Sequence, residues 1–351
     1  MERYSRQIVL DVLGPRGQRS LIDAKVCLVG LGGLGSPAAM QLAAMGIGHL
    51  RLVDCDVVEL SNLHRQYLYG TSSIGFSKAE AATRRLRDLN PAINIEPRTV
   101  SVNSNTALDV VDGMDVVVDG LDRIAPRYAL NRACLQLGVP YVFGAAIMTY
   151  GTVKTVIPRK TACLECFQGG LDDERIEKCA TVGVHPSVLG VVSSVEVSEA
   201  VRIVIGEKPQ LAEKLFFCDI WDMRFDEIEI ARSEICPACG SRPSSFPVSR
   251  EKLITDVCAR SGKRTFLITP MMDLDLDMRA LYAFLTKNDL RIVVRGELGA
   301  TFKPSQRRKA SILKSGVMVV EGVRDEKDAF GMYERIVVDG LSISMDRIRG
   351  K

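Results

Sequence analysis

A glycine-rich turn, a row of cations and amides just past it, and four cysteines in two short hooks are the features of this chain able to carry chemistry. The turn is Gly30-x-Gly32-Gly33-x-Gly35, directly after the apolar run Val26 to Val29, and residues 37–45 can form a helix behind it. Strand, glycine turn and helix in this order receive a nucleotide. Gly30 permits the tight turn, Gly32 lets phosphate oxygens approach the backbone, Gly35 lets helix and strand pack, and the helix N-terminus offers N–H groups to an anion. A second apolar run, Leu50 to Val53, ends in Asp54. That is about 20 residues past the last glycine, where an acidic side chain takes a ribose hydroxyl. The glycines alone do not separate a dinucleotide redox cofactor from ATP. Beyond Asp54, however, come Asn62, Arg65, Gln66 and Lys78. Two fixed cations with amides suit a triphosphate undergoing substitution, where charge builds on equatorial and leaving oxygens.

Cys163-x-x-Cys166 and Cys236-x-x-Cys239 can each supply two thiolates to one tetrahedral zinc. The segment between them is far longer than in a compact zinc ribbon, but Cys236-Pro-Ala-Cys-Gly240 has the proline and glycine of a knuckle. A thioredoxin-like redox pair, or unrelated cysteines, remain the alternatives on spacing alone. Cys179 stands apart, after a polar stretch, 172–178, that lacks apolar periodicity and reads as a mobile loop. Lys178 beside it would lower the thiol pKa; the alternative is a bystander. Cys27, Cys55, Cys134, Cys218 and Cys258 read as core thiols.

The elements that must position these residues follow from periodicity. Ser77 to Leu89 carries Lys78 in its first turn and an apolar stripe of Ala81, Ala82, Leu86 and Leu89, so it is expected as a helix stopped by Asn90-Pro91. Strands are expected over 93–102, 115–118, 141–143, 151–157, 216–220 and 223–230, and helices over 124–137 and 188–205. The strand 115–118 runs into Asp119-Gly-Leu-Asp122. Strand C-termini are where open α/β sheets place ligands, so Asp119 and Asp122 are expected at the crevice of Gly30 and Asp54. The fold class is α/β: a Rossmann-like doubly wound sheet with a zinc knuckle over 1–240, then a linker rich in proline and serine, 241–250, then a small α+β domain, 251–351. In the last, strands are expected at 265–269, 290–295 and 299–302. A hairpin should turn at Ser315-Gly316, with helices at 276–287 and, last, 326–336.

Composition narrows the rest. With 46% hydrophobic and 25% charged residues the chain is ordinary for a globular protein. A net charge of +3 lacks the footprint of a nucleic-acid binder, although Arg307-Arg-Lys309 is a local basic cluster. No leader pattern and no apolar run of the roughly 20 residues that span a bilayer is present. A cytoplasmic protein with reduced thiols and no membrane contact is expected.

Arg3-Tyr-Ser-Arg-Gln7, the glycine turn, Asp54-x-Asp56, Ser61-Asn-Leu-His-Arg-Gln66, Ile74-Gly-x-x-Lys78 and Asn90-Pro91, in this order, resemble the ThiF/MoeB/HesA family of ubiquitin-activating-enzyme-like adenylyltransferases. The resemblance extends to about Gly240. It implies ATP-dependent adenylation of the C-terminal glycine of a ubiquitin-like carrier ending in Gly-Gly, often a sulfur carrier, with pyrophosphate released. It also implies ATP, Mg2+ and a structural zinc held by the four hook cysteines, a homodimer, and a sulfurtransferase as a candidate partner. By the same resemblance Arg6 reaches an ATP site, in some members that of the partner subunit. Asp122 meets magnesium and phosphates, and Cys179 accepts the activated carrier or handles sulfur. Arg123 departs from the family's asparagine after that aspartate. The alternatives are adenylation of a nucleoside carboxylate or peptide amide, a NAD-dependent oxidoreductase, and a scaffold whose site has decayed. The resemblance leaves 251–351 uncovered. That region ends in Ile348-Arg-Gly-Lys351 rather than Gly-Gly, and it lacks the prominent cysteine of a fused rhodanese, with Cys258 placed ahead of its first strand. A recruitment module is expected there.

Overall fold

The computed structural model describes residues 2–171, 173, 182–244, 252–260 and 263–350, the side chains of 257–260 and 263 excepted. Among these residues the strands form two sheets. The first contains β1 Lys25–Val29, β2 His49–Val53, β3 Asn94–Arg98, β4 Val116–Asp119, β5 Tyr141–Ile147, β6 Tyr150–Val156, β7 Lys214–Asp219 and β8 Arg224–Glu229, in the order β3-β2-β1-β4-β5-β6-β7-β8. β3 to β5 of that order are parallel; β6, β7 and β8 add on antiparallel. The order reverses between β1 and β4, which places the crevice at their carboxyl ends.

Because side chains alternate along a strand, β1 serves two cores. Val26 and Leu28 face helices Gly35–Met45, Lys78–Leu89 and Pro186–Val204, while Cys27 and Val29 face Ile124–Leu137 and the cysteine hooks. The expected strand 93–102 is shorter, ending at Arg98, because Thr99 turns to bond another part of the chain. No described helix is long and apolar enough to cross a membrane.

The second sheet contains β9 Ile254–Arg260, β10 Lys263–Ile268, β11 Arg291–Arg295, β12 Gly299–Lys303, β13 Lys309–Leu313 and β14 Met318–Glu321, in the order β11-β12-β13-β14-β10-β9, every pairing antiparallel. Cys258 therefore lies within a strand, not ahead of the first one. β9 is an edge strand, and an edge carrying charged residues lacks the apolar pattern by which strands are read. The region's final helix also differs. An α-helix, Glu326–Tyr333, passes into a π-helical stretch, Glu334–Gly340, and a further helix follows at Met345–Arg349. The wider turn lets the adjacent Ile336 and Val337 both be buried.

One face of this sheet, including Phe266, Ile268, Phe302, Ile312 and Val320, is covered by its own helices. The other face lies on the first domain: Leu313 and Val317 pack on Val57, with Leu267 and Cys55 beside them. Thr301 Oγ1 donates to the Gly75 carbonyl at 2.7 Å, and Ser315 Oγ to that of Thr99 at 2.5 Å. Within the linker expected at 241–250, residues 245–250 lie outside the described residues.

Candidate active site and cysteine cluster

The glycine turn is built by close backbone approach. Gly30 has φ +88°, and a Cβ there would stand 2.5 Å from the Gly120 carbonyl oxygen, so the ends of β1 and β4 touch. A Cβ at Gly35 would stand 1.8 Å from the Gly30 carbonyl oxygen. Only glycine permits either contact. At Gly33 the obstacle would be the Leu189 side chain, whereas above Gly32 the nearest atom is Gln66 Nε2 at 3.8 Å, leaving that backbone open to a ligand.

Asp54 ties this turn to β2. Its Oδ2 accepts from Leu31 N–H at 2.7 Å and its Oδ1 from Asp56 N–H at 2.8 Å. Burial pushes its carboxyl up, and the Lys78 ammonium draws it back. Both oxygens keep a second lone pair for a hydroxyl.

The chain leaves Asp54 and returns at Lys78 as a closed excursion. Val57 bridges Ser77 antiparallel, Val58 N–H bonds the Phe76 carbonyl, and Gly75 N–H bonds the Val58 carbonyl. Inside it, Asn62 Oδ1 accepts from Glu59 N–H at 3.0 Å, so this amide holds the turn Leu60–Asn62. Arg65 is half-buried with Nη1 on the Ser61 carbonyl at 2.9 Å. Gln66 is buried beside Gly32, and its Oε1 has no hydrogen-bond partner among the described residues. Lys78 opens its helix behind the cap Ser77, buried, with Nζ 3.0 Å from Asp56 Oδ2.

The expectation for Asp119 needs correction. It is wholly buried: Tyr141 Oη donates to its Oδ2, Leu121 N–H to its Oδ1, and Arg127 Nε stands 3.2 Å from Oδ2. Burial raises its carboxyl against the pull of Arg127. It is turned inward because Arg127 spans from it to the Leu121 and Gly144 carbonyls, at 2.5 and 2.7 Å. Asp122, three residues on, is exposed. Arg123 folds toward Asp173, Nε to Oδ2 at 3.9 Å. Arg6 is exposed on the short helix Ser5–Ile8. Cys179 and Lys178 lie outside the described residues.

The four hook cysteines converge. Cys163 Sγ lies 3.6 Å from Cys236 Sγ and 3.9 Å from Cys166 Sγ, Cys166 Sγ lies 3.4 Å from Cys239 Sγ, and all four fall within 4.8 Å of one another. Zinc–sulfur bonds of about 2.3 Å in a tetrahedron set sulfurs about 3.8 Å apart, so the spacing fits this ion. Burial, then the neighbouring sulfurs, push the Cys163 thiol up. That repulsion is what a bound cation relieves. A buried bidentate pair, Arg132 Nε and Nη2 to Glu165 Oε1 and Oε2, each at 2.7 Å, fastens the first hook to helix Ile124–Leu137. Arg127 and Arg132 escaped sequence reading because charged residues on a helix look solvated unless the partner across space is known.

The model of the ThiF family matches residues 4–238. This chain belongs to the ThiF family. The ThiF-family match is supported by the SAMP-activating enzyme E1 of Haloferax volcanii, 39% identical over 241 residues, covering 68% of this chain and 89% of that protein. The sulfur carrier protein ThiS adenylyltransferase of Bacillus subtilis is 29% identical over 338 residues, 95% of this chain and 98% of its own length. The family model thus ends near Gly240, as the motifs suggested, while the similarity to this one relative runs on through the second sheet. The crystal structure of E. coli MccB with ATP superposes with a TM-score of 0.60 at 25% identity, over 68% of this chain and 75% of that one.

Proposed function

We propose that this chain uses ATP to adenylate the C-terminal carboxylate of a small ubiquitin-like sulfur carrier protein. The observation that carries the reading is the open backbone at Gly32, flanked by the unpartnered Gln66 oxygen and held by Asp54, in a chain whose relatives bear adenylyltransferase names. Gln66 Oε1 is an acceptor, suited to a nucleoside hydroxyl or amine and not to a phosphate. Asp54 takes the ribose. A carboxylate oxygen of the carrier attacks the α-phosphorus, the bond to the β-phosphate oxygen breaks, and pyrophosphate leaves. Arg65, Lys78 and Arg6 balance the charge that builds on it, with Arg6 supplied across a homodimer. The exposed Val9 and Val12 near Arg6 support a covered N-terminal face. Asp122 is the exposed carboxylate that would hold Mg2+, which supplies positive charge to the phosphates. The four hook cysteines would hold zinc; four thiolates leave no open position, so its role is structural. Cys179 is the proposed thiol acceptor downstream: its sulfur would displace AMP to form a thioester.

The test is ATP–pyrophosphate exchange driven by purified Gly-Gly-ending small proteins of the same source. Arg65→Ala and Lys78→Ala should each lower exchange by about 10²-fold, with secondary structure retained by circular dichroism. Exchange near the wild-type rate in both variants refutes the site.

A further inference from the structure

The second sheet touches the excursion between Asp54 and Lys78 near both of its ends, at Val57 and at Gly75, and again at the helix that follows. Leu313 and Val317 press on Val57. Thr301 Oγ1 holds the Gly75 carbonyl at 2.7 Å, and a Cβ on Gly75, whose φ is +89°, would stand 2.8 Å from Val294 Cγ2. One turn into the Lys78 helix, the Glu80 carboxylate, 5% exposed, accepts from Glu297 N–H at 3.0 Å and Leu298 N–H at 2.9 Å, both in the turn between β11 and β12. Arg84 Nη2 at 2.5 Å balances its charge. A carboxylate bonded by two backbone N–H groups in a buried setting is a strong, directional tie. It joins residues 217 and 218 positions apart.

We infer that the second sheet is a working part of the nucleotide site. Glu80 is a positioning residue that, through the β11–β12 turn, fixes the first turn of the Lys78 helix and so aims the Lys78 ammonium at phosphate. This rests on the phosphate role proposed for Lys78. A tethered recruitment module would leave the excursion free, whereas here it is gripped at Val57 on the outgoing chain and at Gly75 on the return.

Gly296 gives a perturbation from the far side of the contact: a Cβ there would stand 2.5 Å from Glu80 Oε2 and 2.9 Å from the Gly299 carbonyl oxygen, displacing the carboxylate without substituting any residue of the first domain. Glu80→Gln is the near-isosteric counterpart, in which an amide NH2 replaces one acceptor and confronts a backbone N–H. Binding of Mg·ATP and of adenosine is measured by calorimetry on the zinc-loaded full chain. Gly296→Ala and Glu80→Gln should each raise the Kd for Mg·ATP about tenfold, the effect of loosening one charged contact, and leave adenosine unchanged. Lys78→Ala should weaken ATP at least as much. Unchanged ATP affinity in both variants, with ATP binding lost in Lys78→Ala, overturns the inference and spares the site. Equal weakening of ATP and adenosine overturns it as general distortion. Wild-type ATP affinity in Lys78→Ala overturns the phosphate role and the inference together. Should Gly296→Ala not fold, Glu80→Gln decides alone.

Discussion

Replacing Arg127 by methionine, of similar length but uncharged, strands a carboxylate under the nucleotide crevice. Asp119 is wholly buried, and Arg127 Nε lies 3.2 Å from its Oδ2. At that separation and an effective dielectric of about 20, the attraction is about 5 kcal/mol. Tyr141 and Leu121 N–H still donate to the carboxylate in the variant, while the Leu121 and Gly144 carbonyls lose their donor. Breaking a buried pair from one side costs about 3–5 kcal/mol, and that is the loss expected in urea unfolding at pH 8. The pH dependence gives the cause. The Asp119 carboxyl is already raised by burial, and losing Arg127 raises it further. The folded variant then holds a proton that the unfolded chain releases near pH 3.9, so its stability falls as pH rises from about 4 toward the folded value. The gap to wild type should therefore be smaller at pH 5 than at pH 8. Adding Asp119→Asn to Arg127→Met should recover much of the loss. A loss under about 1 kcal/mol, or one equal at both pH values, refutes the account.

Two further outcomes follow from other sites. The purified chain should hold about one zinc, and Cys236→Ser should lose metal and thermal stability together, read by metal analysis and melting; a metal-free yet fully stable wild type rules this out. At the β2–β3 edge, burial alone would raise the Glu96 carboxyl, but Arg51, His49 and Arg98 hold it below the usual range. Its stabilisation is present above the unfolded carboxylate pKa and lost as pH falls through the lower folded value. Glu96→Gln should accordingly destabilise at pH 7 and match wild type in strong acid, followed by denaturant unfolding.

Much of the site was legible locally. The glycine spacing, Asp54, and a Lys78 helix capped by Ser77 depend on steric and hydrogen-bond rules acting within a few residues, and helix Ile124–Leu137 has the expected bounds. The turn at Ser315-Gly316 was readable for the same reason, Gly316 having φ +87°. Asp119 looked like a ligand group and is instead committed to the protein, since a polar side chain at a strand end has the same local signature either way.

The amino-acid sequence alone determined that a strand–glycine turn–helix unit forms, that cations follow it, and that two cysteine hooks exist. Those are properties of residue type and short spacing. Tertiary structure decided that hooks whose paired cysteines lie 73 residues apart meet within bonding range of one ion. It also decided that Asp119 turns inward to Arg127, and that a sheet more than 200 residues downstream grips the Lys78 helix through Glu80. Each of these is a contact between groups distant in the chain, whose free energy comes from excluding water around both partners at once, and no window of sequence contains both.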